Sequence, residues 1–240
     1  RPDAGDDSLS PGWNLISTRT NISMPISTAL VSIANRLVIV KNNDGEIYSP
    51  GDGINTIGNL LPGQAYMAYV ADSAVLTFPD TNISGIAGMS GGGMSGKVVT
   101  AYPKNVHYTD SLINTGSNSI LLVNAPGLSD GDEIGVKTAT NRFVGTGVIK
   151  DGKTFVTIWG YNQLFPEKLG GARENEALTV VAWSSKVGRE VNCDITSLTD
   201  ELRHSDLASA ALYYQTDAVW SASLEQSQSS GIPAKFHLAQ

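Results

Sequence analysis

The chain has a single cysteine, Cys193, in 240 residues, so no disulfide closes within it and no cysteine cluster is present to hold a metal. Histidine is nearly as scarce. His107, His204 and His237 form neither a close pair nor an H-E-x-x-H helix, which leaves a zinc centre without sequence support. Charge is thin, at 16% of residues with a formal net charge of -7, and no cluster of Lys or Arg exists to neutralise phosphates or anionic lipid. Nucleic acid is therefore not an expected partner. No apolar run approaches the roughly 20 residues a membrane helix needs, so membrane insertion is not expected either.

What is abundant points to strands. The 25 glycines, with many Ser, Thr and Asn, suit short β-strands joined by tight turns. The expected fold is mainly β, in two modules: a small N-terminal β module with one short helix, and a larger C-terminal β-sandwich with one short helix. Residues 1–10 read as a polar tail, 11–80 as the small module, 81–104 as a Gly/Ser-rich linker ending in a strand, 105–225 as the sandwich, and 226–240 as a second tail.

In the first module "WNLIST" reads as a strand, and Ile26, Ala29, Leu30 and Ile33 recur at helical spacing behind Ser23, a candidate cap. "LVIVKNNDGEIYS" reads as a hairpin turning at Asp44-Gly45. In the second, "NSILLVNA", "DEIGVKT", "RFVGTGVI", "TFVTIWG", "ALTVVAW" and "REVNCDI" read as strands, punctuated by Asp130-Gly131 and Asp151-Gly152. Over residues 199–212, Leu202, Leu207, Ala208 and Ala211 fall on one helical face, which predicts the module's helix.

Two catalytic signatures overlap in "GMSGGGMSGKVVT". Gly91, Gly96 and Lys97 have P-loop spacing, but Val98 stands where magnesium needs a Ser or Thr, and "VVTAY" predicts a strand where a phosphate needs a helix N-terminus. Gly88, Ser90 and Gly92 fit the turn that presents a hydrolase serine, yet Ser90 is flanked by glycines rather than by a strand and a helix. Both readings yield to a linker. No catalytic residue, cofactor site or metal site is expected, and a hydrolase using Ser90 is the third-ranked reading. Asp130, Asp132 and Glu133, or Asp3, Asp6 and Asp7, offer oxygens to calcium without matching an EF-hand loop.

"GWNLIS", "LVIVKNNDGEIYSP" and "INTIGNLLPGQAYMAYV" resemble a small module that recurs in exported proteins of Bacteroidetes-type bacteria. "DGDEIGV", "FVGTGV", "FVTIWG" and "NEALTVVAW" resemble a β-sandwich module often found beside it. The resemblance implies secretion and an extracellular or cell-surface location, and no activity. It also directs attention to "DSL" at 7–9, "DSA" at 72–74 and "DSL" at 110–112, which resemble Asp-Ser-aliphatic sites of O-glycan attachment and make Ser8, Ser73 and Ser111 candidates.

The expected function is that of a non-enzymatic extracellular structural protein, a surface or fibre (pilus-like) subunit that self-associates into a polymer through its termini. Strand addition is the expected route, and "KFHLA" at 235–239 alternates enough to add as an edge strand, with Phe236 and Leu238 on one face. The alternative is a carbohydrate-binding module. Trp159 and Tyr161, two apart at the end of "TFVTIWGYN", would share a strand face as a sugar-stacking platform.

Overall fold

The computed structural model describes residues 6–18, 21–79, 104–109, 112–164, 170–207 and 211–227. It is mainly β. Strands β1 (Asp7–Leu9), β2 (Gly12–Ser17), β3 (Met24–Pro25), β4 (Leu37–Lys41), β5 (Ile47–Ser49), β6 (Ile54–Asn55), β7 (Asn59–Leu60), β8 (Ala65–Val70) and β9 (Ala74–Leu76) come first. β10 (Asn118–Asn124), β11 (Glu133–Thr138), β12 (Phe143–Val148), β13 (Lys153–Trp159), β14 (Leu178–Ser184), β15 (Arg189–Asp200), β16 (Ser205–Asp206) and β17 (Val219–Gln226) follow.

The earlier strands build a five-stranded sheet in the order β2-β8-β4-β5-β6, flanked by the pairs β1-β9 and β3-β7. Its apolar face closes over α1 (Ile26–Ala29) and a 3-10 turn at Val31–Ile33, which bury Ile26, Ala29, Leu30 and Ile33 against Ile16, Leu60, Tyr66 and Ala68. The expected helix is there but stops after four residues. Ser23 is not its cap, since Pro25 holds that position without a side-chain hydrogen bond and the Ser23 hydroxyl instead receives Asn59 Nδ2 at 3.0 Å. The hairpin at Asp44-Gly45 forms as expected, with Gly45 at a φ of 81° that an L-residue adopts only under strain.

The expected N-terminal tail is corrected over residues 7–9, which form β1 and pair with β9 of the same chain. Leu9 is the reason. It is 6% exposed and joins the core of the small sheet, so the segment gains apolar burial as well as ladder bonds.

The later strands form one eight-stranded sheet in the order β12-β11-β14-β15-β17-β10-β13, with β16 paired to β15. β15 joins its two halves, pairing β14 through residues 189–192 and β17 through residues 193–200, with a bulge between Ile195 and Ser197. The two end strands, β12 and β13, come back together at the Asp151-Gly152 turn, where both residues have positive φ, and the sheet nearly closes into a barrel. Glycine makes that closure possible. A Cβ on Gly145 would lie 2.7 Å from the Thr157 carbonyl oxygen, and one on Gly147 would lie 2.6 Å from that of Phe155. Inside, Leu121, Ile134, Val136, Val156, Ile158, Ala182 and Trp220 form the main core.

The second expected helix, over residues 199–212, does not form. β15 runs through Asp200, a turn follows, and Ser205–Asp206 pairs back as β16; residues 208–210 lie outside the described set. Asp200 drives the turn, because its Oδ1 accepts the amides of Leu202 at 3.0 Å and Arg203 at 3.2 Å while its Oδ2 accepts Arg203 Nη1 at 2.7 Å. Local side-chain hydrogen bonds of this kind compete with the helix for the same backbone groups.

The two sheets share a third core. Ile39, Ile47 and Ile54 of the small sheet meet Ile120, Leu122 and Val219 of the large one. β10 is therefore buried on both faces, which is why it reads "ILLV" instead of alternating. Replacing Gly145 with Ala is expected to lower stability by about 1–3 kcal/mol through overpacking against β13, whereas Gly127→Ala, where a Cβ meets nothing within 4 Å, should be near neutral. Urea unfolding of the two variants measures the difference.

Candidate functional site

Among the described residues no group of three or more His, Cys, Asp or Glu side chains is placed to hold a metal ion. The acidic run at 130–133 is spent on structure. Asp132, 1% exposed, accepts the Ser185 amide at 2.8 Å and its hydroxyl at 2.6 Å on Oδ1, and the Ser129 amide at 2.9 Å on Oδ2. Asp130 accepts the Asp151 amide at 2.8 Å. Ser90 and Lys97, with both overlapping signatures, lie outside the described residues, as do Ser111, Phe236 and Leu238.

The sugar-stacking platform expected from Trp159 and Tyr161 is not assembled. Trp159 is 7% exposed and Tyr161 37%. The tip of the small sheet's hairpin covers the outer face of β13, so that a Cβ on Gly45 would stand 3.0 Å from the Trp159 ring and 2.9 Å from the Thr157 methyl. Thr157 Oγ1 donates to the Gly45 carbonyl at 2.6 Å. Trp159 is thus a packing residue of the junction.

The junction is polar at its centre. Lys41, the last residue of β4 and 4% exposed, places its ammonium on three acceptors: Asp217 Oδ1 at 2.6 Å, Asn118 Oδ1 at 3.0 Å and the Asn118 carbonyl at 3.2 Å. Those three bonds use all its protons. Burial lowers the Lys41 pKa, and the hydrogen bond and charge of Asp217 oppose that shift. The Trp13 ring lies 5.0 Å from the ammonium and donates Nε1–H to the Asp217 carbonyl at 3.1 Å. Tyr69 meets Trp13 edge-on at 5.4 Å and 82°, and its hydroxyl donates to the Leu202 carbonyl at 2.9 Å. One side chain from each of β2, β4 and β8 therefore reaches across to the large sheet.

A second polar cluster holds residues 104–109 against β11. The Glu133 carboxylate, 1% exposed, accepts the successive amides of Val106 at 2.6 Å, His107 at 2.9 Å and Tyr108 at 2.8 Å, and meets His107 Nδ1 at 3.1 Å. Burial by itself would raise its pKa. The backbone donors and the His107 ring outweigh that, so the carboxyl sits below its ordinary value. The His107 ring stacks on Trp183 at 4.0 Å and 15°. A carboxylate-oriented imidazole is half of a triad, but among the described residues no serine, threonine or cysteine side chain hydrogen-bonds to it. Cys193 offers no nucleophile elsewhere, since burial and then Asp194 push its thiol up to about 11.

A further chemically open feature is a sheet edge. β2 pairs with β8 on one side and, among the described residues, with no strand on the other. Protective devices for such edges are charges, prolines and bulges, and "GWNLIS" has none. Trp13 and Leu15 share a face; Trp13 is taken up by the junction, while Leu15 projects beyond it and is 72% exposed. Sequence pattern marks β2 as a strand, but its edge position depends on pairings that no local signal carries. Compared with family models, with curated proteins and with solved structures, the chain has no significant match.

Because the Glu133 pKa is depressed on folding, its stabilising contribution is present above about 4.5 and is lost as pH falls through the lower folded value. Glu133→Gln is expected to cost about 1–3 kcal/mol at neutral pH and to flatten the acid limb of the stability profile below pH 4.5. Thermal unfolding of both forms from pH 7 to pH 3 measures this; parallel profiles for the two would contradict it.

Proposed function

We propose that the protein is a non-enzymatic extracellular structural subunit of a surface layer or pilus-like fibre, assembled by strand addition onto the open edge of β2. The observation that carries this reading is the combination at β2 of six edge residues without charge or proline and an exposed Leu15. An extended segment laid beside β2 satisfies the outward-facing amides and carbonyls and covers Leu15. The other edge of that sheet, β6, is two residues long and too short to serve.

The donor is the stretch 235–239, "KFHLA", from another copy. Its alternation presents Phe236 and Leu238 on one face. Residues 7–9, the competing donor, already pair with β9 of their own chain. A donor and an acceptor at different places on one chain make a heterologous contact, which generates open filaments when the rotation does not close.

Extracellular location is supported by the exported-module resemblance. Ser8 stands opposite Val75 in the β1-β9 pair, and Ser73 immediately precedes β9. Both serines are exposed, as is Val75 at 52%. An O-glycan on either serine would shield that apolar residue from water and from other chains.

Leu15→Lys, or deletion of residues 228–240, is expected to convert polymer into folded monomer, read by light scattering and negative-stain microscopy. Mixing the two forms should restore only short species, because each retains one half of the contact. Polymer persisting in both variants would overturn the assignment. Protein isolated from its natural producer is expected to exceed its 25.3 kDa polypeptide mass, with the excess lost in a Ser8→Ala, Ser73→Ala, Ser111→Ala variant. A bare polypeptide mass rules the modification out.

A further inference from the structure

Two adjoining hollows of about 640 Å³ and 260 Å³ share Asp200, Arg203 and Gln215. The larger reaches Leu198 and Trp220 of the barrel core and is flanked by Tyr213; the smaller reaches Trp13 and Tyr69 at the junction of the sheets. Together they form a cleft of a size that holds a small ligand, with aromatic side chains at both ends and polar ones between.

Three features specify what would occupy it. The first is an unanswered donor: Trp220 is 4% exposed, and its Nε1–H is buried without a hydrogen-bond partner among the described residues. Buried polar groups are rarely left so, and a ligand oxygen in the hollow would accept from it once the ring shifts toward that side, since the atom has no water-accessible surface as it stands. The second is charge balance. Every charged side chain lining the cleft is already paired inside the protein, Arg203 with Asp200 at 2.7 Å and Asp217 with Lys41 at 2.6 Å. A charged ligand would find no net counter-charge. The third is amphipathic chemistry at the rim: the ring of Tyr213 is 45% exposed, the Arg203 side chain is 74% exposed with only one of its N–H groups on Asp200, and the Gln215 amide has no protein partner among the described residues.

We propose that this cleft binds a neutral oligosaccharide, with one sugar ring stacked on Tyr213 and its oxygens accepting from Trp220 Nε1 and Arg203. Sugars combine a flat C–H face, which packs on an aromatic ring, with a rim of uncharged hydroxyls, which matches planar amide and guanidinium groups. Asp200 acts as a positioning residue, since its two oxygens hold the Leu202 and Arg203 amides and the guanidinium that faces the ligand. The site is distinct from the Trp159 and Tyr161 pair and does not depend on polymer formation.

The test is titration of the intact chain with four neutral tetrasaccharides, cello-, xylo-, manno- and β-1,3-glucotetraose, and with a tetragalacturonate. Binding is followed by calorimetry and by the indole N–H signals in an amide correlation spectrum. The expected result is 1:1 binding of at least one neutral probe, with movement of the indole signal that Trp220→Phe removes. Tyr213→Ala should weaken that binding at least tenfold with thermal stability unchanged, since its ring is exposed, and Trp220→Phe should also weaken it by about tenfold. Failure of all four neutral probes to bind would overturn the proposal. So would undiminished binding by Tyr213→Ala, or tighter binding of the tetragalacturonate than of any neutral probe.

Discussion

A single buried ammonium organises the relation between the two sheets. Lys41 sits at the end of a strand of one sheet, and all three of its acceptors belong to Asn118, which starts β10, and Asp217, which precedes β17, of the other. A buried charge is tolerated only when it is paired and its hydrogen bonds are complete, so the geometry admits little sliding between the sheets. Trp13 covers the ammonium and ties its own N–H to Asp217, while the surrounding isoleucines exclude water. Hydrophobic burial supplies the attraction at this junction, and the lysine sets its register.

The same demand for close approach shapes the large sheet. Its end strands meet where Gly145 and Gly147 of β12 face the backbone of β13, a contact that any side chain would hold apart. β15 completes the curvature by leaving β14 for β17 at a bulge, which lets one long strand serve both halves. Glu133 then pins residues 104–109 across β11 through three consecutive amides. Each device acts through backbone groups, consistent with a chain in which charged side chains are few.

These constraints place the two surfaces on which the proposals rest. Covering one face of β13 and β10 with the small sheet removes Trp159 from solvent, and among the described residues β2 has no strand on its outer side. The turn that follows β15, held by Asp200, opens the hollows between Trp220, Tyr213 and Trp13. The two proposals, strand addition at β2 and neutral-glycan binding in the cleft, meet at Trp13, which belongs to β2 and lines the smaller hollow.

The sequence by itself determined which segments are strands and where many of them turn. Alternation and apolar runs follow from a two-residue period, and the positive φ that Asp44-Gly45 and Asp151-Gly152 turns require is a local property of those residues. Ile26, Ala29, Leu30 and Ile33 were legible as one buried face even though their helix is only four residues long. Tertiary structure alone decided the rest. Helical spacing over 199–212 lost to the pairing of Thr199 and Asp200 with Ser221 and Trp220 of β17, to their pairing with β16, and to the Asp200 turn, partners that are distant in sequence or act through side-chain bonds. Trp159 and Tyr161 have the spacing of a shared strand face, yet only the fold reveals that Gly45, more than a hundred residues earlier, covers one and leaves the other exposed. Burial depends on what packs above a face, and a local pattern states which residues share a face without saying what covers it.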